Sequence, residues 1–124
     1  MTKEQIKKKL NLDKIYNFQE GRAAVEKNNK WGHVDLDGKV TTPIVYEYVS
    51  SFKEGRAWVQ KNGKWGHVDL DGKVVVLIIY DEVGYFSRGG RAWVEINSIE
   101  FNINKNGYPL KHKDFYKLIK GLFK

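Results

Sequence analysis

The residues best placed for chemistry are His33 with Asp35, repeated as His67 with Asp69. On an extended strand residues two apart share a face, so each imidazole has a carboxylate beside it. Such a pair binds a metal or moves a proton when further ligands or a substrate converge on it. Each copy supplies only two ligands and no third stands nearby, so the aspartate is expected to orient the histidine and to accept turn N–H groups. Asp35-x-Asp37-Gly38 has the opening of a calcium loop, but the closing glutamate is missing and Lys39 follows directly. It reads as a hairpin turn. The only serines are Ser50, Ser51, Ser87 and Ser98, none in a nucleophile setting, and cysteine is absent. There is no glycine-rich phosphate loop, no H-E-x-x-H and no G-x-S-x-G. The expectation is a protein that is not an enzyme and has no catalytic residue, metal or cofactor.

The next candidates are aromatic and cationic. Trp31-Gly32 and Trp65-Gly66 place a large ring next to a residue without a side chain, where another ring or backbone can approach closely. They are expected to fill slots between repeats, with an aromatic platform as the functional alternative. Arg22, Arg56 and Arg91 each follow a glycine and share a strand face with Ala24, Trp58 and Trp93. Arg beside Trp along a repeat edge makes an aromatic and cationic stripe. The competing expectation is pairing of these arginines with Glu20, Glu54 and their neighbours.

The elements that must position these residues come from one internal repeat. Phe18 to Ser51 and Phe52 to Tyr85 are two blocks of 34 residues that match at 22 positions without a gap. Self-similarity at such a period signals a repeat architecture. Each copy reads as three strands: Arg22 to Glu26, Lys30 to Leu36 and Lys39 to Tyr46, echoed in the second copy. Asn28-Asn29 and Asn62-Gly63 supply the positive φ of a tight hairpin, and Asp37-Gly38 and Asp71-Gly72 the next turn. Pro43 marks an edge or a strand end in the first copy, whereas the run VVVLIIY from Val74 to Tyr80 predicts a more buried strand in the second copy. Thr2 to Leu12 predicts a short helix, with Thr2 and Gln5 as a capping box and Ile6 and Leu10 on one face. From Asp114, as N-cap, Phe115, Leu118, Ile119 and Leu122 form one helical stripe flanked by lysines.

At 124 residues the chain is one domain. It divides into a basic helix at 1–12, full copies at 18–51 and 52–85, a degenerate capping copy at 86–112 and a basic helix at 113–124. The net charge is +7, with +3 on residues 1–12, +5 on 103–124 and −1 between them. Arguments about charged partners therefore concern the two ends. No apolar run is long enough to span a membrane, and the N-terminus lacks a stretch of signal-peptide length. The chain as it stands reads as cytoplasmic.

The pieces EGRA-V, K-N-KWG-VD-DGKV and Y-x-x-V-x-x-F resemble the bacterial WG, or KWG, repeat family. The resemblance runs over residues 12–118 and is specific in the two full copies; the third lacks the Trp-Gly pair. It implies an all-β array of short antiparallel strands and no catalytic residues.

The expected fold is thus all-β with short terminal helices: antiparallel three-stranded repeats in a twisted open stack, with a small closed barrel as the alternative. The expected function is a protein-binding module with Trp58, Tyr85, Trp93, Arg56 and Arg91 as candidate contacts. Two alternatives accompany it. One is nucleic-acid binding through Lys7, Lys8, Lys9, Lys111, Lys113, Lys117 and Lys120. The other is a small inhibitor of an RNA-guided nucleoprotein complex, of the kind that phage-encoded anti-CRISPR proteins represent. The expected state is a monomer or an edge-paired homodimer.

Overall fold

The structure is a computed structural model that describes residues 1–123; the last position of the expected C-terminal helix, Lys124, lies outside the described residues. Three antiparallel sheets follow one another along the chain, and none closes into a barrel. The first runs β1 (Lys14–Gln19), β2 (Arg22–Lys27), β3 (Lys30–Val34) and β4 (Val40–Tyr46) in that spatial order. The second repeats it with β5 (Tyr48–Val49), β6 (Ala57–Lys61), β7 (Lys64–Val68) and β8 (Val74–Tyr80). The third has β9 (Glu82–Val83), β10 (Arg91–Ile96) and β11 (Ile99–Asn104), with β10 in the middle. Each sheet therefore begins with a strand beyond the three expected per copy. Helices α1 (Lys3–Leu10) and α2 (Asp114–Leu122) flank the array.

The turns form for local reasons. Asn28-Asn29 and Asn62-Gly63 all have positive φ, as a two-residue hairpin requires. Asn97-Ser98 does the same in the third sheet, at a sequence without the usual glycine. An acidic residue 15 or 16 positions earlier in each case accepts the N–H at the start of the turn: Asp13 from Asn28 at 2.8 Å, Glu47 from Asn62 at 2.7 Å and Asp81 from Asn97 at 2.7 Å. The Asp-Gly turns differ from the two-residue type expected. Only Gly38 and Gly72 have positive φ, while Asp35 and Asp69 each accept two backbone N–H groups across the loop. Asn104 performs the same task with its amide oxygen. The third copy has thus lost the Trp-Gly pair but kept its turn chemistry.

Glycine of the Trp-Gly pair has a steric task. A Cβ at Gly32 would lie 2.5 Å from the Thr42 carbonyl oxygen and 2.9 Å from Ile44 Cα. The bulged outer strand crosses directly over this point, between the pairs Trp31–Tyr46 and His33–Thr42. Gly66 lies under Ile78 in the same way. In the third sheet Phe101 takes the glycine's place. There the chain pairs only briefly, at Ile103–Pro109, and leaves for α2 before crossing.

The sheets pack face to face, so the middle strands are covered on both sides. Ala23 and Val25 pack back toward Ile6 of α1, while Ala24 packs forward with Val49, Ala57 and Val59 of the second sheet. Trp58 packs forward against Ala92, Val94 and Phe101 of the third. Helix α1 takes the place of a preceding repeat: Ile6 lies against Gly38, as Thr41 lies against Gly72 and Val76 against Gly107. Its capping box forms in both directions between Thr2 and Gln5.

Two expectations about burial are corrected. The strand Val74 to Tyr80 is an edge strand like its Pro43-containing counterpart, and Leu77 is 66% exposed, because the outer strand of each sheet has no neighbour. In α2 the expected apolar stripe does not all face inward. Leu118 packs on the core and Gly121 presses on Ile96, but Phe115, Ile119 and Leu122 face outward. The N-cap of α2 is Lys113, and Asp114, expected there, is the first helical residue and is buried.

Candidate interaction site

The candidate residues separate by their place in the stack. Trp58, expected as an exposed anchor, is only 5% exposed. Period-two alternation on one strand puts it on an outer face, but the next sheet covers that face. Its ring stacks on Phe86 at 5.7 Å and meets His67 edge-on at 4.9 Å. Arg56 is also engaged. Its Nε–H donates to the Lys105 carbonyl at 2.9 Å and Nη1 to that of Gly55 at 3.0 Å. Arg22 does the same one copy earlier, donating to the Leu70 carbonyl at 2.8 Å. These arginines latch each repeat to the second turn of the next. The acidic residues named as alternative partners are engaged elsewhere: Glu20 accepts the N–H groups of Glu54 and Gly55, both at 2.8 Å, and the Glu54 carboxylate lies 3.8 Å from Lys105 Nζ.

After the third sheet the chain enters α2, and no further sheet covers that face among the described residues. Trp93, the counterpart of Trp58, is 37% exposed, and the Arg91 guanidinium has no hydrogen bond or ion pair among the described residues. The chain returns past this face before entering α2 and walls off a groove of about 580 Å³. Its lining includes Arg91, Trp93, Asn102, Lys111, Lys113 and Lys117. Candidates read separately as protein contacts and as phosphate contacts thus share one surface. Lys117 is partly neutralised by buried Asp114 at 3.3 Å. Arg91, Lys111 and Lys113 have no carboxylate partner among the described residues and outweigh the single further acid, Glu100. The groove is therefore positive, with an indole edge in it.

The other lysines do not join it. Lys7, Lys8 and Lys9 lie on α1, which packs on the first sheet, and Lys120 faces Tyr116 and Ile99 on the outer side of α2. Tyr85 is largely exposed beside a separate slot lined by Tyr48, Ser50, Trp58, Trp65 and Glu82. Sequence reasoning missed Ser50 and Glu82, although comparison at 34-residue spacing with Tyr16 and Tyr48 marks both. Trp31 and Trp65 are half-buried and belong to a row, Tyr16–Trp31–Tyr48–Trp65, with ring centroids 4.9–5.9 Å apart.

The histidines sit inside the sheets. His33 Nε2–H donates to the Ser50 carbonyl at 2.8 Å, so Nδ1 accepts from the Thr42 hydroxyl, also at 2.8 Å. Burial lowers its pKa to about 4. His67 is equally buried, with neither ring nitrogen hydrogen-bonded among the described residues; burial and then the Arg56 charge lower its pKa to about 3. Neither touches its neighbouring aspartate, whose oxygens serve the turn. Among the described residues no group of three His, Asp or Glu side chains could hold a metal ion. No described helix is long and apolar enough to cross a membrane.

A stack of short antiparallel sheets joined by repeated turn and arginine contacts defines a repeat module. The family model described as WG containing repeat matches residues 2–31, 31–65 and 65–98, and the chain belongs to that family. No curated protein and no solved structure matches it.

Proposed function

We propose that this chain is a non-enzymatic protein-interaction module that holds an acidic segment of its partner in the terminal groove. The observation that carries this reading is the fate of equivalent residues along the stack. Arg22 and Arg56 each bond to the following repeat, and Trp58 is covered by it, whereas among the described residues the Arg91 guanidinium has no partner and Trp93 is exposed. The third copy therefore presents a docking face that the fold itself uses twice. Arg91, Lys111 and Lys113 supply charge complementarity, and Trp93 supplies the large, rigid contact that dominates many interfaces.

A second reading is favoured by the same grouping. A positive groove with an aromatic ring also suits single-stranded nucleic acid, with phosphates on the basic groups and a base on Trp93. One titration separates the two. The indole N–H of Trp93 is followed by NMR while an aspartate- and glutamate-rich peptide, or single-stranded RNA or DNA, is added across a salt series. The protein reading expects saturable shifts with the peptide, lost in Arg91→Ala/Lys111→Ala/Lys113→Ala, which keeps the Trp93 reporter. Shifts with the nucleic acids alone, falling steeply with salt, would replace it. No shift with any ligand at low salt would remove both.

A further inference from the structure

The slot beside Tyr85 is the place where the second copy lacks rings that the first copy has. In the first copy Trp31 is flanked by Tyr16, stacked at 5.1 Å and 12°, and by Tyr48, tilted at 4.9 Å. Thirty-four residues on, Trp65 has Ser50 and Glu82 at the two equivalent positions. Both line the slot, whose volume is about 130 Å³. An enclosed apolar void of about 150 Å³ accommodates a benzene ring, so the space is of the order of one aromatic side chain. The hydrogen-bond chemistry of the template is also kept. Tyr16 donates its hydroxyl to Glu26 at 2.6 Å, and Gln60, whose amide oxygen is a neutral and weaker acceptor, stands in Glu26's place.

We infer that the slot on Trp65 is a binding site for a tyrosine side chain of a partner protein, which completes the row as Tyr16 completes it on Trp31. The inference deepens the interaction-module reading and rests on it for the identity of the partner as a protein. The slot and the groove share no lining residue and are linked through neighbouring strands of the third sheet. Gly84 lines the slot and Trp93 lines the groove, and the two are bonded across the sheet, Gly84 N–H to the Trp93 carbonyl at 2.8 Å. An acidic segment lying along the groove has the slot at its side for one aromatic residue. Trp65, Trp58, Tyr48 and Tyr85 supply ring and edge contacts there, the kind of aromatic pairing already made within the row.

The test uses p-cresol, the tyrosine side chain alone, titrated into the full chain while the four indole N–H signals are followed. The expected result is a saturable shift at Trp65, with Trp31 and Trp93 little changed. Ser50→Tyr restores the counterpart of Tyr16 and fills the slot from within the chain, at the loss of the bond that the Ser50 hydroxyl accepts from Trp58 N–H. It is expected to weaken p-cresol binding about tenfold or more. Tyr16→Ser is expected to open a second site, seen as a new saturable shift at Trp31. No saturable shift at Trp65, or binding untouched by Ser50→Tyr, would overturn the proposal. A dimer in sedimentation that p-cresol or Ser50→Tyr disperses would name a second copy as the occupant and overturn the partner assignment. Binding of an acidic peptide at Trp93 without p-cresol binding would overturn the slot alone, and the reverse result would overturn the groove.

Discussion

His33 and His67 occupy the same place in successive copies, and among the described residues only His33 has hydrogen-bond partners. The difference follows from two neighbours. Thr42, which donates to His33, is Val76 in the second copy, and Ala24 is Trp58, whose ring lies against His67. The histidine is therefore a bonded strut in one repeat and a buried polar ring among aromatics in the next.

Replacing each by leucine should give opposite signs. His33→Leu leaves the Ser50 carbonyl and the Thr42 hydroxyl unpaired and should cost about 2–3 kcal/mol. His67→Leu removes two buried nitrogens that have no protein partner and should be neutral or stabilising by about 1 kcal/mol. Urea unfolding of the two variants checks both; equal losses would contradict the bonding pattern.

Stability should fall with acid well before the carboxylates titrate. Both histidines have folded pKa values below their ordinary value of 6.5, at about 4 and about 3. The unfolded chain then binds more protons than the folded one, so the stabilisation is complete above about pH 6.5 and is lost as pH falls toward 3. Asp35 and Asp81 add to the loss at lower pH. Turn N–H groups, led by that of Lys39, hold Asp35 below the usual range, and the bond from Lys64 does so for Asp81. Thermal melting from pH 7.5 to 4 should show a steady fall, much reduced in the double variant His33→Leu/His67→Leu.

Gly32→Ala and Gly66→Ala should each cost about 3 kcal/mol or more, because the added Cβ meets backbone that cannot move without unpairing the outer strand. Gly21→Ala is the contrast: open space surrounds it, and only its positive φ opposes the change. Its cost should be about 1 kcal/mol.

Trp58→Ala should destabilise by about 3–5 kcal/mol, as expected for emptying a core site. Trp93→Ala should change stability by less than about 1 kcal/mol. Melting curves that rank the two the other way would contradict the placement of the third sheet.

Much of the fold was legible because it rests on local chemistry. The 34-residue repeat, the positive-φ turns at Asn28-Asn29 and Asn62-Gly63, and the Thr2–Gln5 capping box need no tertiary information. What was not legible depends on position within the stack. Ala24, Trp58 and Trp93 occupy one register position, and alternation assigns all three to the same outward face. Whether that face is covered depends on whether another sheet follows, which no strand pattern records. Leu77 failed for a related reason, since an apolar run on an edge strand reads like one in a sheet centre. Likewise the three arginines look equivalent in sequence, yet among the described residues Arg91 is the one whose guanidinium has no carbonyl to latch.

The most direct test of the interaction reading places a photo-cross-linking benzoylphenylalanine at position 93 in the full chain, with the same residue at exposed Val45 as control. Irradiation in the native cell should join position 93, but not position 45, to a discrete protein, and Arg91→Ala/Lys111→Ala/Lys113→Ala should reduce that product severalfold. Cross-links at 93 no different from those at 45, or cross-links only to nucleic acid, would contradict the account.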